Sequence, residues 1–129
     1  MKKSKCKLLP IFVDFIEHNR QRYSTAGDYF KRKGNMYFNI TRMKPEYSLM
    51  VLAHEIIEWI LISQKGIKIS DIDKFDIAST WDDPGCDPKA PYHRQHMLAI
   101  KIEKIICKEL GLNWKVYDNS FSKLRWRNE

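Results

Sequence analysis

The chain has 129 residues, 43% hydrophobic and 12% aromatic, with 30% charged side chains and a negative mean hydropathy. That is enough for one domain with one substantial core, and no run approaches the roughly 20 apolar residues of a membrane span. Of the net charge of +7, Lys2, Lys3, Lys5 and Lys7 supply four units and the stretch after Asn119 two more, whereas residues 8–119 hold 16 basic and 15 acidic side chains.

A basic excess confined to the two ends reads as solubilising tails and not as a basic folded face, which argues against specific nucleic-acid binding. The N-terminal lysines lead into only Leu8, Leu9, Ile11, Phe12 and Val13 before Asp14, too short and too charged for a signal peptide. Three cysteines, Cys6, Cys86 and Cys107, without a CxxC pair, exclude a disulfide framework and point to a reducing cytoplasm. The expectation is a single domain over 1–129, with an ordered core over about 8–118 and flexible basic termini.

Leu8–Phe15 is rich in β-formers. Tyr23–Lys31 and Asn35–Met43 flank Lys33-Gly34-Asn35, a hairpin signal, and in the second arm Met36, Phe38 and Ile40 alternate with Tyr37, Asn39 and Thr41. These segments predict a small antiparallel sheet of about three strands. Pro45-Glu46 opens a helix that runs through Gln64 and stops at Gly66. A short helix is expected over Ser70–Ala78 with Ser70 as its N-cap. Residues 79–91, with three prolines and a glycine, form a loop, and a last long helix covers Tyr92–Leu110 before Gly111. Trp114–Tyr117 reads as a short strand or a segment docked on the core, and the tail from Asn119 as loose. The fold class is therefore α+β, the small sheet packing on two long helices.

The helix after Pro45 carries the chemistry. From Leu49 to Ile62 every residue is apolar except His54, Glu55 and Glu58. At about 100° per residue, Glu58 falls near 40° and Glu55 near 100° from His54. A helix apolar on all sides is buried, and three ionisable groups in it cost several kcal/mol each unless paired or coordinated. A divalent metal removes that cost. His54 and Glu58, one turn apart, can reach one ion, while Glu55 is displaced around the helix, where its carboxylate can take a proton from water. The competing reading pairs Glu55 and Glu58 with lysines or arginines and leaves His54 as a hydrogen-bonded core residue.

A zinc site needs a third protein ligand, and the last helix offers His96 and His93. His96 shares its face with Ala99, Ile100, Cys107 and Leu110, opposite the lysines, so it points inward; His93 sits at the boundary and is the second choice. Glu103 lies on the apolar face two turns on, as a partner behind a ligand or an ion pair with a buried base. Asp82, Asp83 and Asp87 lack the EF-hand spacing and read as turn residues. Trp81 and Tyr92 serve either as substrate contacts or as core anchors.

Strands followed by a helix with His54-Glu55-x-x-Glu58 and a downstream histidine resemble the minimal zincin-like metalloproteins, a pattern whose second helix histidine is here Glu58. Tyr23-Ser24-Thr25-Ala26-Gly27-Asp28, His54–Glu58 and Asp83-Pro84-Gly85…Ala90-Pro91-Tyr92…His96 together resemble a family of small bacterial and phage proteins with no assigned substrate. The zincin likeness implies His54 and Glu58 as ligands and Glu55 as general base, with His96 matching the downstream ligand by position. It also implies that the strand before the helix, Asn35–Met43, aligns an extended substrate. The expected function is a metal-dependent hydrolase using Zn2+ or another divalent transition metal on a peptide or amide substrate. The alternative is a non-catalytic metal-binding or structural protein. A dinuclear carboxylate–histidine site of the four-helix kind is disfavoured, because the chain has no Glu-x-x-His.

Overall fold

The computed structural model describes residues 6–127. The chain is α+β: strands β1 (Ile11–Ile16), β2 (Gly27–Arg32) and β3 (Asn35–Thr41) form one sheet, followed by helices α1 (Pro45–Lys65), α2 (Ile69–Ala78), α3 (His93–Glu109) and α4 (Trp114–Ser120). No helix among the described residues is long and apolar enough to cross a membrane. The lysines at positions 2, 3 and 5 lie outside the described residues.

The sheet has the order β1-β3-β2 and is mixed, not antiparallel. β2 pairs with β3 antiparallel, Gly27 opposite Ile40 through Arg32 opposite Asn35, across a two-residue turn in which Lys33 (φ 50) and Gly34 (φ 79) are both left-handed. This is the geometry that matches strand twist in a tight hairpin. β1 instead pairs with β3 in parallel, Ile11 opposite Met36 through Ile16 opposite Thr41. The reason lies in residues 17–26. Gln21, fully buried, donates its amide to the Asn39 carbonyl (3.0 Å) and to Thr41 Oγ1 (3.2 Å). The connection thus spends its polar groups on β3 and carries the chain past it, leaving β3 between the other two. Burial agrees with that order. Met36, Phe38 and Ile40 of β3 are 0% exposed, whereas Ile11, Phe12 and Val13 of the edge strand β1 are exposed.

α1 begins with Pro45 at its first turn and Glu46 beside the positive end of the dipole, and it closes on Gly66 (φ 77), whose N–H reaches the Ile62 and Ser63 carbonyls. Ser48 Oγ donates to the Thr41 carbonyl (3.0 Å) and accepts from Met43 N (2.8 Å), tying the helix start to the end of β3. α1 packs against β2 and β3 and, more extensively, against α3, and Ile40 of β3 shares a buried cluster with Cys107 of α3. Two apolar clusters hold the layers together. One joins Tyr29, Met36 and Phe38 to Ile62, Ile72 and Tyr92; the other joins Ile40, Tyr47, Met50 and Val51 to Cys107 and Tyr117.

Three smaller expectations are corrected. α2 starts one residue early, with Lys68 at its N-cap and no side-chain cap, so Ser70 is inside the helix. Trp114–Ser120 is a helix, capped by the Asn113 side chain accepting from Val116 N, and it docks through the fully buried Tyr117. Residues 119–127 are not loose in this structure: Phe121 packs edge-on against Tyr117 (ring centroids 5.1 Å), and Trp126 Nε1 donates to the Gln21 carbonyl (3.0 Å). Their aromatic side chains account for this, since each covers core or buried-loop surface that charge counting ignores.

Candidate metal centre

His54 and Glu58 stand one turn apart on the side of α1 that meets α3, between the two apolar clusters. His96 faces them from α3. His54 Nε2 and His96 Nδ1 are 3.2 Å apart, His54 Nε2 and Glu58 Oε2 3.1 Å, and His96 Nδ1 and Glu58 Oε2 2.7 Å. All three residues are buried, at 7%, 3% and 7% exposure. These donors form a group that can hold a metal ion. Tetrahedral zinc with bonds of about 2.0–2.2 Å sets its ligand atoms about 3.3 Å apart. The three edges here lie within about 0.6 Å of that figure, the shortest being the His96–Glu58 hydrogen bond.

Each histidine turns its second nitrogen to a carboxylate. His54 Nδ1–H donates to Glu103 Oε1 (2.7 Å), and Tyr117 of α4 donates to the other oxygen of Glu103. His96 Nε2–H donates to Asp83 Oδ2 (3.0 Å) in the loop before α3. Tyr29 of β2 donates to Glu58 Oε1 (2.8 Å) and holds that carboxylate from behind. Backing carboxylates of this kind set the tautomer and ring orientation of metal-binding histidines.

The electrostatics follow from the contacts. Burial pushes Glu58 toward its neutral form, but hydrogen bonds from His54 and His96 outweigh it and hold the carboxyl at about 2. Burial likewise opposes charge on His54, and bonds to Glu103 and Glu58 reverse it, raising the imidazole to about 10. His96 is raised on the same logic, against burial, by Asp83, Cys86 and Glu58. A divalent cation held there would favour the same carboxylate charge, with the protons on the ligand nitrogens displaced.

Glu55 stands apart from this triangle. Its side chain packs against Gly27 at the start of β2, where an added Cβ would come within 2.6 Å of Glu55 Cγ. Among the described residues its carboxyl has no hydrogen-bond partner. Burial, then the charge of Glu58, raises its pKa well above the usual carboxylate range.

His93, the second-choice ligand, is not in the group. Its Nδ1–H donates to the Gly85 carbonyl (3.0 Å) and so braces the loop that carries Asp83. Its place at the first residue of α3 turns it toward the loop and away from α1. Tyr92 is a core anchor, 4% exposed, donating to Asp76, while Trp81 is 48% exposed. β3 is hydrogen-bonded on both sides, so the strand expected to align an extended substrate has no free edge.

Sequence reasoning missed Asp83, Tyr29 and Tyr117. Asp83 read as a turn former, and neither tyrosine had a periodicity that separated it from core. The usable signal was Gly85. A Cβ there would sit 2.4 Å from His96 Cγ, so only glycine lets the loop close on that ring. No protein-family model, curated protein or solved structure matches this chain.

Proposed function

We propose that the protein is a metal-dependent hydrolase of the minimal zincin-like kind, acting on a peptide or amide bond, with His54, Glu58 and His96 as ligands of Zn2+ or a similar divalent ion. The carrying observation is the convergence of three donor atoms, each pair within 3.2 Å, with both histidines backed by carboxylates. A divalent ion held there supplies Lewis acidity toward a scissile carbonyl. Glu55 then accepts a proton from the attacking water and returns it to the leaving nitrogen, a role that its missing hydrogen-bond partner and raised pKa support. Glu58 and the two histidines stay fixed, held by Tyr29, Glu103 and Asp83.

A second reading, a structural metal site without turnover, is favoured by the depth of the donors. A surface cleft of about 390 Å³, lined by Trp59, Ile62 and Ile67, contains none of them. One comparison separates the two. Untagged protein should retain about one tightly held ion per chain after dialysis, and His54→Ala should lose it. Glu55→Gln should keep the ion and abolish hydrolysis of a mixed peptide library, followed by mass spectrometry. Loss of the ion in Glu55→Gln would make Glu55 a ligand and remove it as the base. An inert wild type with the ion in place leaves the structural reading.

A further inference from the structure

The imidazole of His96 has a second donor group on its outer side. Asp83, Cys86 and His96 present one ligand atom each, all within 4.8 Å of one another. His96 Nε2 lies 3.0 Å from Asp83 Oδ2, and Cys86 Sγ is 3.3 Å from the same oxygen. This is more than a loose surface grouping. His96 is buried, yet its Nε2 is aimed outward, and the Asp83 side chain at 54% exposure opens the position to solvent. The turn that carries the other two donors is wrapped directly on the ring. Pro84–Cys86 is a 3-10 turn closed by Cys86 N–H to the Asp83 carbonyl (3.0 Å), and Gly85 leaves the ring the space that a Cβ would fill.

We infer that Asp83, Cys86 and His96 form a second metal position, for a thiophilic divalent cation such as zinc or cobalt(II), bridged to the first through the His96 imidazole. A thiolate, an imidazole nitrogen and a carboxylate oxygen are the donor set that borderline-soft metals select, and calcium or magnesium would not take it. On binding, the cation replaces the His96 Nε2 proton and the Cys86 thiol proton, and both leave to solvent. With bonds of about 2.0–2.1 Å on each side of one imidazole, the two ions sit about 6 Å apart. Three protein donors, one of them an exposed carboxylate, leave room for water and make this the weaker of the two positions. The inference rests on the proposed site for the bridge alone, since the outer cluster holds its cation with or without the inner one.

Cobalt(II) titration of metal-free protein tests it, because sulfur-to-cobalt charge transfer in the near ultraviolet reports thiolate ligation and nothing else in the chain's two clusters produces it. Wild type should take up two equivalents, the thiolate band growing with the weaker one. Cys86→Ser should take one and show no band. His54→Ala should lose the inner equivalent and keep the band, so failure of the inner site reads separately. As a measurement that needs no variant, saturating cobalt should slow iodoacetamide labelling of Cys86, assigned by peptide mass, at least tenfold. Absence of the band in wild type and in His54→Ala, with Cys86 labelling unchanged by cobalt, overturns the inference whether or not the inner site fills.

Discussion

Glu103 shows how much of the candidate centre lies outside its three proposed ligands. It sits two turns beyond His96 on the same stripe of α3, and its two oxygens are divided between His54 Nδ1 and the Tyr117 hydroxyl. Burial, then the Glu103 charge, keeps Tyr117 protonated, so the hydroxyl stays a donor. Glu103→Gln keeps the shape but weakens the orienting bond. Zinc affinity, measured by competition with a chromophoric chelator, should fall about 10- to 100-fold with little change in fold. An unchanged affinity would mean that the Glu103 bond does not orient His54. Gly85 makes the opposite kind of test, since its side chain is missing because His96 needs the room. Gly85→Ala forces a Cβ to within 2.4 Å of the ring, and both loop and ring must shift. A loss of about 1–3 kcal/mol in chemical denaturation, together with loss of the bound ion, is expected.

At the scale of elements, α2 is held both by core packing through Ile69, Ile72 and Phe75 and by polar contacts. Ile72 is its buried residue, while Asp73 pairs with Arg22 (3.2 Å) and Asp76 accepts from Tyr92 (2.8 and 2.9 Å). Burial raises Asp76 from 3.8 to about 7, against the Tyr92 bond that favours its charged form. The sign follows from linkage. An acid whose folded pKa exceeds its unfolded value favours the folded state while protonated. That contribution is full below about pH 4 and is lost as pH rises through about 7. In Asp76→Asn the neutral side chain still accepts from Tyr92, so the stability difference between variant and wild type should move in the variant's favour from pH 4 to pH 8, read as denaturation midpoints. A constant difference across that range would show that Asp76 does not titrate as its surroundings require.

For the whole molecule, the proposed ligands tie separate elements together. His54 and Glu58 come from α1 and His96 from α3, while Tyr29 of β2 donates to Glu58 and Tyr117 of α4 reaches His54 through Glu103. An ion bound only by the folded chain stabilises it by mass action, about 2.7 kcal/mol at a hundred times its Kd. For a domain whose total stability is about 5–15 kcal/mol, that is a large share. Zinc should therefore raise the thermal midpoint of wild type by several degrees, and that of His54→Ala,Glu58→Ala by distinctly less.

The patterns that survived folding are the local ones. Alternation in Met36–Thr41, the Lys33-Gly34 turn, Pro45 and Gly66 at the ends of α1, and the inward stripe of His96, Ala99, Glu103 and Cys107 are all written in neighbouring residues. From these, a three-stranded sheet and two helices carrying His54, Glu58 and His96 could be read directly. Strand order could not, because it depends on how residues 17–26 spend buried hydrogen bonds on β3, and a connection has no period to read. Asp83, Tyr29 and Tyr117 reach the centre from a loop, a strand and the last helix. Only the tertiary structure brings such distant polar groups to one point, because a buried charge selects its partners by distance in space and not by separation along the chain.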